Sequence, residues 1–106
     1  MSTEIVDLSA VLKQLELSEQ VPLQHRAIGQ HQDASWAVVR LQPDASWDLP
    51  NASECLITDG YATFTVGDQR HSVGPGHLLL SPTGGSLTND GTLVFQLLHR
   101  VPTLIT

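Results

Sequence analysis

Residues 76–91 read GHLLLSPTGGSLTNDG, and the way this stretch is punctuated decides what fold the chain can take. A short apolar run, HLLLSP at 77–82, lies between Gly76 on one side and Pro82, Gly84 and Gly85 on the other. Bounded so closely by turn residues, it reads as a strand. Glycine lets the backbone turn sharply where a Cβ would force strain, as the strand connections of a tightly curved barrel require. Gly84-Gly85 does not read as a phosphate cradle, because that device needs a helix N-terminus to follow and no helical pattern does.

Working outward, the same texture continues in both directions. SWAVVRLQP (35–43), SECLITDG (53–60), YATFTVG (61–67) and TLVFQLLHRV (92–101) read as strands, with QRHSVGPG (69–76) between them. Asp59-Gly60 is a strong hairpin turn signal and Gly67-Asp68 a weaker polar one. Seven or eight short strands at intervals of about ten residues predict a sandwich or closed barrel. The stretch Ser46–Gly60, SWDLPNASECLITDG, reads as a loop feeding a strand and a tight turn, and QHRAIGQHQD (24–33) as a polar segment. Only Asp7–Leu17 looks helical. Asp7 can cap it, and Leu8, Val11, Leu12 and Leu15 fall on one face. The expected organisation is a helical extension over residues 1–20 and one β-barrel domain over 21–106.

Taken together, these residues resemble a known family. GHLLLSPTGGSLTNDG is similar to the second conserved motif of the cupins, small double-stranded β-helix or jelly-roll barrels, with Gly76, Pro82 and Gly84 in register. Gly60 matches the glycine that ends the first cupin motif. The resemblance covers roughly residues 35–100 and implies an all-β, cupin-like jelly-roll barrel with a short N-terminal helix. It departs from the family at the metal ligands. The two histidine positions of the first motif fall on Trp47 and Leu49, its carboxylate on Ser53, and the histidine of the second motif on Leu87. The opening glycine falls on Leu41, the final asparagine on Gly91, and the usual Gly-Asp pair is Gly76-His77. A cupin metal needs imidazole and carboxylate donors, so the exchange implies that this metal is not held.

The other donors are sparse. His25, His31, His71, His77 and His99 include no pair spaced to project together from one strand. His25 and His31 flank Gly29, and His77 opens a strand. His99 shares its parity with Phe95 and Leu97, so it is expected to point inward. Within SECLITDG, Ser53, Cys55 and Ile57 are expected inward and Glu54 outward. Cys55 reads as a small buried apolar residue rather than a thiolate, having no basic neighbour. Asp44, Asp48 and Glu54 read as solubilising charges, and no serine sits in a nucleophile elbow. No catalytic residue, metal or other cofactor is assigned. The pocket-lining residues expected are Trp47, Leu49, Ser53, Leu87 and His99.

Bulk properties narrow the partners. The 106 residues carry a formal charge of −6, with no basic stripe, which argues against nucleic acid. No basic-then-apolar leader or long apolar run is present, so no membrane span and a cytoplasmic location are expected. The helix at 7–17 and the apolar run at 93–101 are expected to help form a homodimer. The leading functional expectation is a metal-free binding or protein-interaction module, with a regulatory role included. Its pocket is either filled by Trp47 and its neighbours or open to a small apolar ligand. The alternatives are a metal-dependent, dioxygenase-like enzyme using other histidines, and a metal-independent isomerase or epimerase.

Overall fold

Short runs of alternating burial, cut by turns at Gly60, Gly67, Gly76 and Gly84 with positive φ, produce the architecture. The computed structural model describes residues 5–18, 20–31 and 33–102. Residues 1–4 and 103–106, at the ends of the two expected segments, lie outside these. The helix α1 (Leu8–Leu17) is followed by β1 (Leu23–His31), β2 (Ala34–Leu41), β3 (Ser46–Leu49), β4 (Ser53–Asp59) and β5 (Ala62–Val66). Then come β6 (Gln69–Val73), β7 (Leu78–Ser81), β8 (Gly85–Thr88) and β9 (Phe95–Pro102). They form a five-stranded sheet, β1-β2-β9-β4-β7, facing a four-stranded sheet, β3-β8-β5-β6, with antiparallel pairing throughout. This is the expected all-β jelly-roll with one N-terminal helix.

The core lies between the sheets. Val39, Leu41, Cys55, Ile57, Phe95 and Leu97 come from the larger sheet, and Leu49, Ala62, Phe64, Val73 and Leu87 from the smaller. Two connections are tight. Ser53 Oγ donates to the Pro50 carbonyl at 2.6 Å, and Ser81 Oγ, opposite it in register, donates to the Gly84 carbonyl. These serines tie the loops on either side of them to the adjacent strands.

The helix begins where Asp7 accepts a hydrogen bond from the Ala10 amide at 3.2 Å. Ten residues cannot hold a helix alone in water, so it must dock. It does so on the outside of the larger sheet, burying Leu15, with Leu8 and Leu12 over Val38 and Leu98 around a void of about 30 Å³. Both faces of β9 are therefore covered near Leu98, one by the core and one by the helix. Among the described residues, no helix is long and apolar enough to cross a membrane.

Three strands depart from the sequence expectation. β1 occupies the stretch read as polar, β3 lies in what was read as a loop, and β8 starts directly at Gly85. In β1 the buried residue is Gln24, covered by the helix, so no apolar alternation announces the strand.

Candidate functional site

Three rings meet where the two sheets open along one side. His25 stands on β1 and Trp47 on β3, the edge strands of the two sheets, while His99 stands on β9 inside the larger sheet. The β1–β2 register sets His25 opposite Val39, and the β2–β9 register sets His99 opposite Ala37. The Trp47 and His99 rings lie 4.9 Å apart at 89°, edge to face. His25 is 6.2 Å from Trp47 and 6.3 Å from His99, ring centre to ring centre. His99 is 3% exposed, Trp47 is half-buried and His25 is exposed, so the triangle is a mouth whose floor is His99.

The remaining expected site residues divide differently. Leu49 and Leu87 are buried in the core and fill the space inward of the mouth. Ser53 is 1% exposed and stands beneath His99, with His99 Nε2 at 3.0 Å from Ser53 Oγ. A hydroxyl has one proton, and that of Ser53 goes to the Pro50 carbonyl. Nε2 must therefore be the donor toward Ser53, which assigns neutral His99 the Nε2–H tautomer and leaves the lone pair on Nδ1. The same count removes Ser53 as an activated nucleophile, since a base would have to accept its proton rather than donate to it.

Burial first, and the neighbouring His25 second, push the His99 imidazole down from 6.5 to about 4. The unfolded chain thus binds more protons than the folded one between these values. His99 leaves stability intact above about pH 6.5 and lowers it as the pH falls through 4, by about 3 kcal/mol in all. Urea unfolding across this window is expected to show that slope. His99→Gln, whose amide can still donate to Ser53, is expected to remove it; an unchanged slope would mean that His99 is not buried neutral.

Among the candidates whose side chains are described, the others do not join the mouth. His77 Nδ1 accepts from the Gly74 amide at 2.9 Å, and exposed His71 stacks on Phe64. His31 closes β1. Glu54 points outward and pairs with Arg100, Asp48 is exposed, and Asp44 sits in an exposed turn with φ 71°. Cys55 is buried and free, its thiol pushed up to about 12 by burial, so it is inert. His25 was only one of several scattered histidines in the sequence; its meeting with Trp47 and His99 depends on strand register.

The metal that the resemblance brings to mind does not fit these residues. Its four positions offer two buried leucines, a tryptophan and a hydroxyl already in two hydrogen bonds. Among the described residues, no three His, Cys, Asp or Glu side chains come together as a ligand set.

No protein-family model matches the sequence, and no curated protein matches it. Solved structures do. A cupin superfamily protein from Desulfitobacterium hafniense is similar with a TM-score of 0.69 and 17% identity, over 82% of this chain and 83% of that one. The polyketide cyclase RemF from Streptomyces resistomycificus is similar at 0.69 and 15% identity, over 78% of this chain and 66% of its own. A cupin domain of an XRE family transcriptional regulator from Enterobacter cloacae is similar at 0.68 and 6% identity, over 81% and 100%. At these identities the likeness establishes the cupin fold.

Proposed function

We propose that this chain, built on the cupin fold, is a metal-free binding module whose contact surface is the mouth framed by His25, Trp47 and His99. The observation that carries the reading is the proton count at Ser53. It turns the residue at the carboxylate position into a structural hydroxyl and leaves His99 a neutral acceptor at the floor of an aromatic opening. Such a mouth suits a flat, mostly apolar group carrying one O–H or N–H that can reach Nδ1. A regulatory use is consistent with this, since one similar structure is a cupin domain of a transcriptional regulator.

Proton-transfer chemistry is less well supported. A general base works best with a pKa near the operating pH, and His99 sits near 4. Among the described residues it also has no carboxylate partner, and Glu54 is paired on the opposite face of the sheet.

Two measurements test the reading. Protein purified without chelator and incubated with Fe, Mn, Co, Ni and Zn is expected to retain far less than one equivalent of each after desalting. Indole and phenol, titrated into isotope-labelled protein, are expected to shift the ring resonances of Trp47 and His99 while leaving those of Trp36 in place. Trp36 is a suitable control because it lies on the outer face beneath the Arg100 guanidinium, 5.8 Å from it. Stoichiometric retention of one metal, or equal shifts at both tryptophans, would sink the proposal.

A further inference from the structure

His99 meets the interior through one ring nitrogen and the mouth through the other. Nε2 stands 3.0 Å from Ser53 Oγ, on a residue that is itself 1% exposed. Among the buried side-chain nitrogen and oxygen atoms of the described residues, Arg40 Nε alone has no hydrogen-bond partner. His99 Nδ1 is therefore not sealed in the interior. With Nε2 engaged by Ser53, Nδ1 is the nitrogen that touches solvent.

What Nδ1 offers to a visitor is decided below it, by one hydroxyl proton. For Nδ1 to carry the ring proton, Nε2 would have to accept, and Ser53 would have to break its 2.6 Å bond to the Pro50 carbonyl to supply it. Nothing is gained at Nδ1 in return, since water there serves as donor or acceptor alike. Burial opposes a proton on both nitrogens together. The interior thus presents a bare lone pair at the floor of the mouth.

We infer that Ser53, by fixing the tautomer of His99, makes the mouth selective for un-ionised phenols over aryl ethers and aryl carboxylates. This selectivity rests on the mouth being the binding surface, and it assigns Ser53 a positioning role that acts through His99. Geometry favours a donor on a projecting tip. Two face contacts on a flat ring need about 7 Å between its neighbours. His25 lies only 6.2 Å from Trp47 and 6.3 Å from His99, so a ring cannot slip between them. It must stay outside, against the exposed part of half-buried Trp47, while its polar tip reaches a histidine that is 3% exposed. A phenol O–H projects in this way, whereas an indole N–H lies in the ring edge itself. An aryl ether has the same ring but would set lone pair against lone pair at Nδ1. A carboxylate adds a charge that finds no donor on His99, on a molecule of formal charge −6.

Nitrogen-15 correlation spectra of the full chain at neutral pH are expected to show His99 protonated at Nε2 and bare at Nδ1. Phenol, anisole and benzoate are then titrated while the Trp47 ring resonances are followed. Phenol should bind about tenfold more tightly than anisole, the worth of one partly exposed hydrogen bond, and benzoate should produce no shift. Ser53→Ala is expected to move the His99 proton to Nδ1 and to bring phenol and anisole within about threefold of each other. A loss of packing alone would weaken both ligands together and leave the ring proton in place. If that variant does not fold, the wild-type spectrum still decides, because a proton on Nδ1 would overturn the assignment. Anisole binding as tightly as phenol, or a preference unchanged in folded Ser53→Ala, would overturn the selectivity while the mouth remains the binding surface. No shift with any of the three would remove the mouth itself, and the selectivity with it.

Discussion

Gly60→Ala is expected to lower stability by about 4 kcal/mol, a large share of the roughly 5–15 kcal/mol typical of a small domain. Two costs combine. The residue has φ 82°, where an L-residue is strained by about 1–2 kcal/mol. A Cβ there would also stand 2.5 Å from the Val94 carbonyl oxygen and 2.9 Å from Phe95 Cα. Those atoms belong to backbone entering the central strand, Phe95 is fully buried, and neither can move aside like a side-chain end. Gly67→Ala isolates the first cost, since φ is 57° there and nothing lies within 4 Å of the added methyl. Unfolding free energies from urea titration should separate the two variants by about 2–3 kcal/mol, with unchanged slopes. If the two lose the same amount, the close approach of the β4–β5 turn to β9 is wrong.

Asn89→Asp is expected to cost a similar amount at neutral pH. Asn89 is fully buried, and its Nδ2 donates to the carbonyls of Leu41 at 2.9 Å and Leu93 at 2.8 Å. Its Oδ1 accepts from the Gly91 amide at 3.0 Å, and its main chain pairs with Asp44 and Ala45. One side chain thus joins the end of β2 to the loop before β9. Aspartate keeps the acceptor but turns a second oxygen toward two carbonyl oxygens, in a site that must also bury its charge. The loss should be about 3–5 kcal/mol relative to wild type. It should shrink as the pH falls and the carboxyl takes up a proton, because the folded state raises its pKa. A pH-independent loss would show that the charge finds solvent and the site is open.

These residues also show where the sequence could be read and where it could not. β4 and β5 were legible because a turn dipeptide separates them and apolar residues recur at every second place. The inward positions of Trp47, Leu49, Ser53 and Leu87 followed from the resemblance once Gly60, Pro82 and Gly84 set the register. β1 was illegible because its buried side chain is Gln24, which a helix covers, while its inward-facing His25 stands at an open edge. β3 has only Leu49 fully buried among four residues, too few for a period to emerge. The triangle of His25, Trp47 and His99 joins strands more than seventy positions apart, and no local pattern encodes that. Asn89 was missed for a related reason. A lone asparagine beside Asp90 and Gly91 reads as a turn residue, and only its three backbone partners reveal a core position.

The place of β9 between β2 and β4 has a consequence for how the chain folds. The strand at the centre of the larger sheet is the last of the nine described strands to be synthesised. Until it arrives, β2 and β4 each lack a neighbour, and two groups of strands exist with no continuous sheet between them. Closing the barrel then requires pairing residues as far apart in the chain as Ala34 and Pro102, so loop entropy is lost before contacts compensate for it. Folding is therefore expected to be slow for a protein of this size and to be completed only after β9 has emerged from the ribosome. In that interval the edges it will fill are open to chaperones, and to other chains.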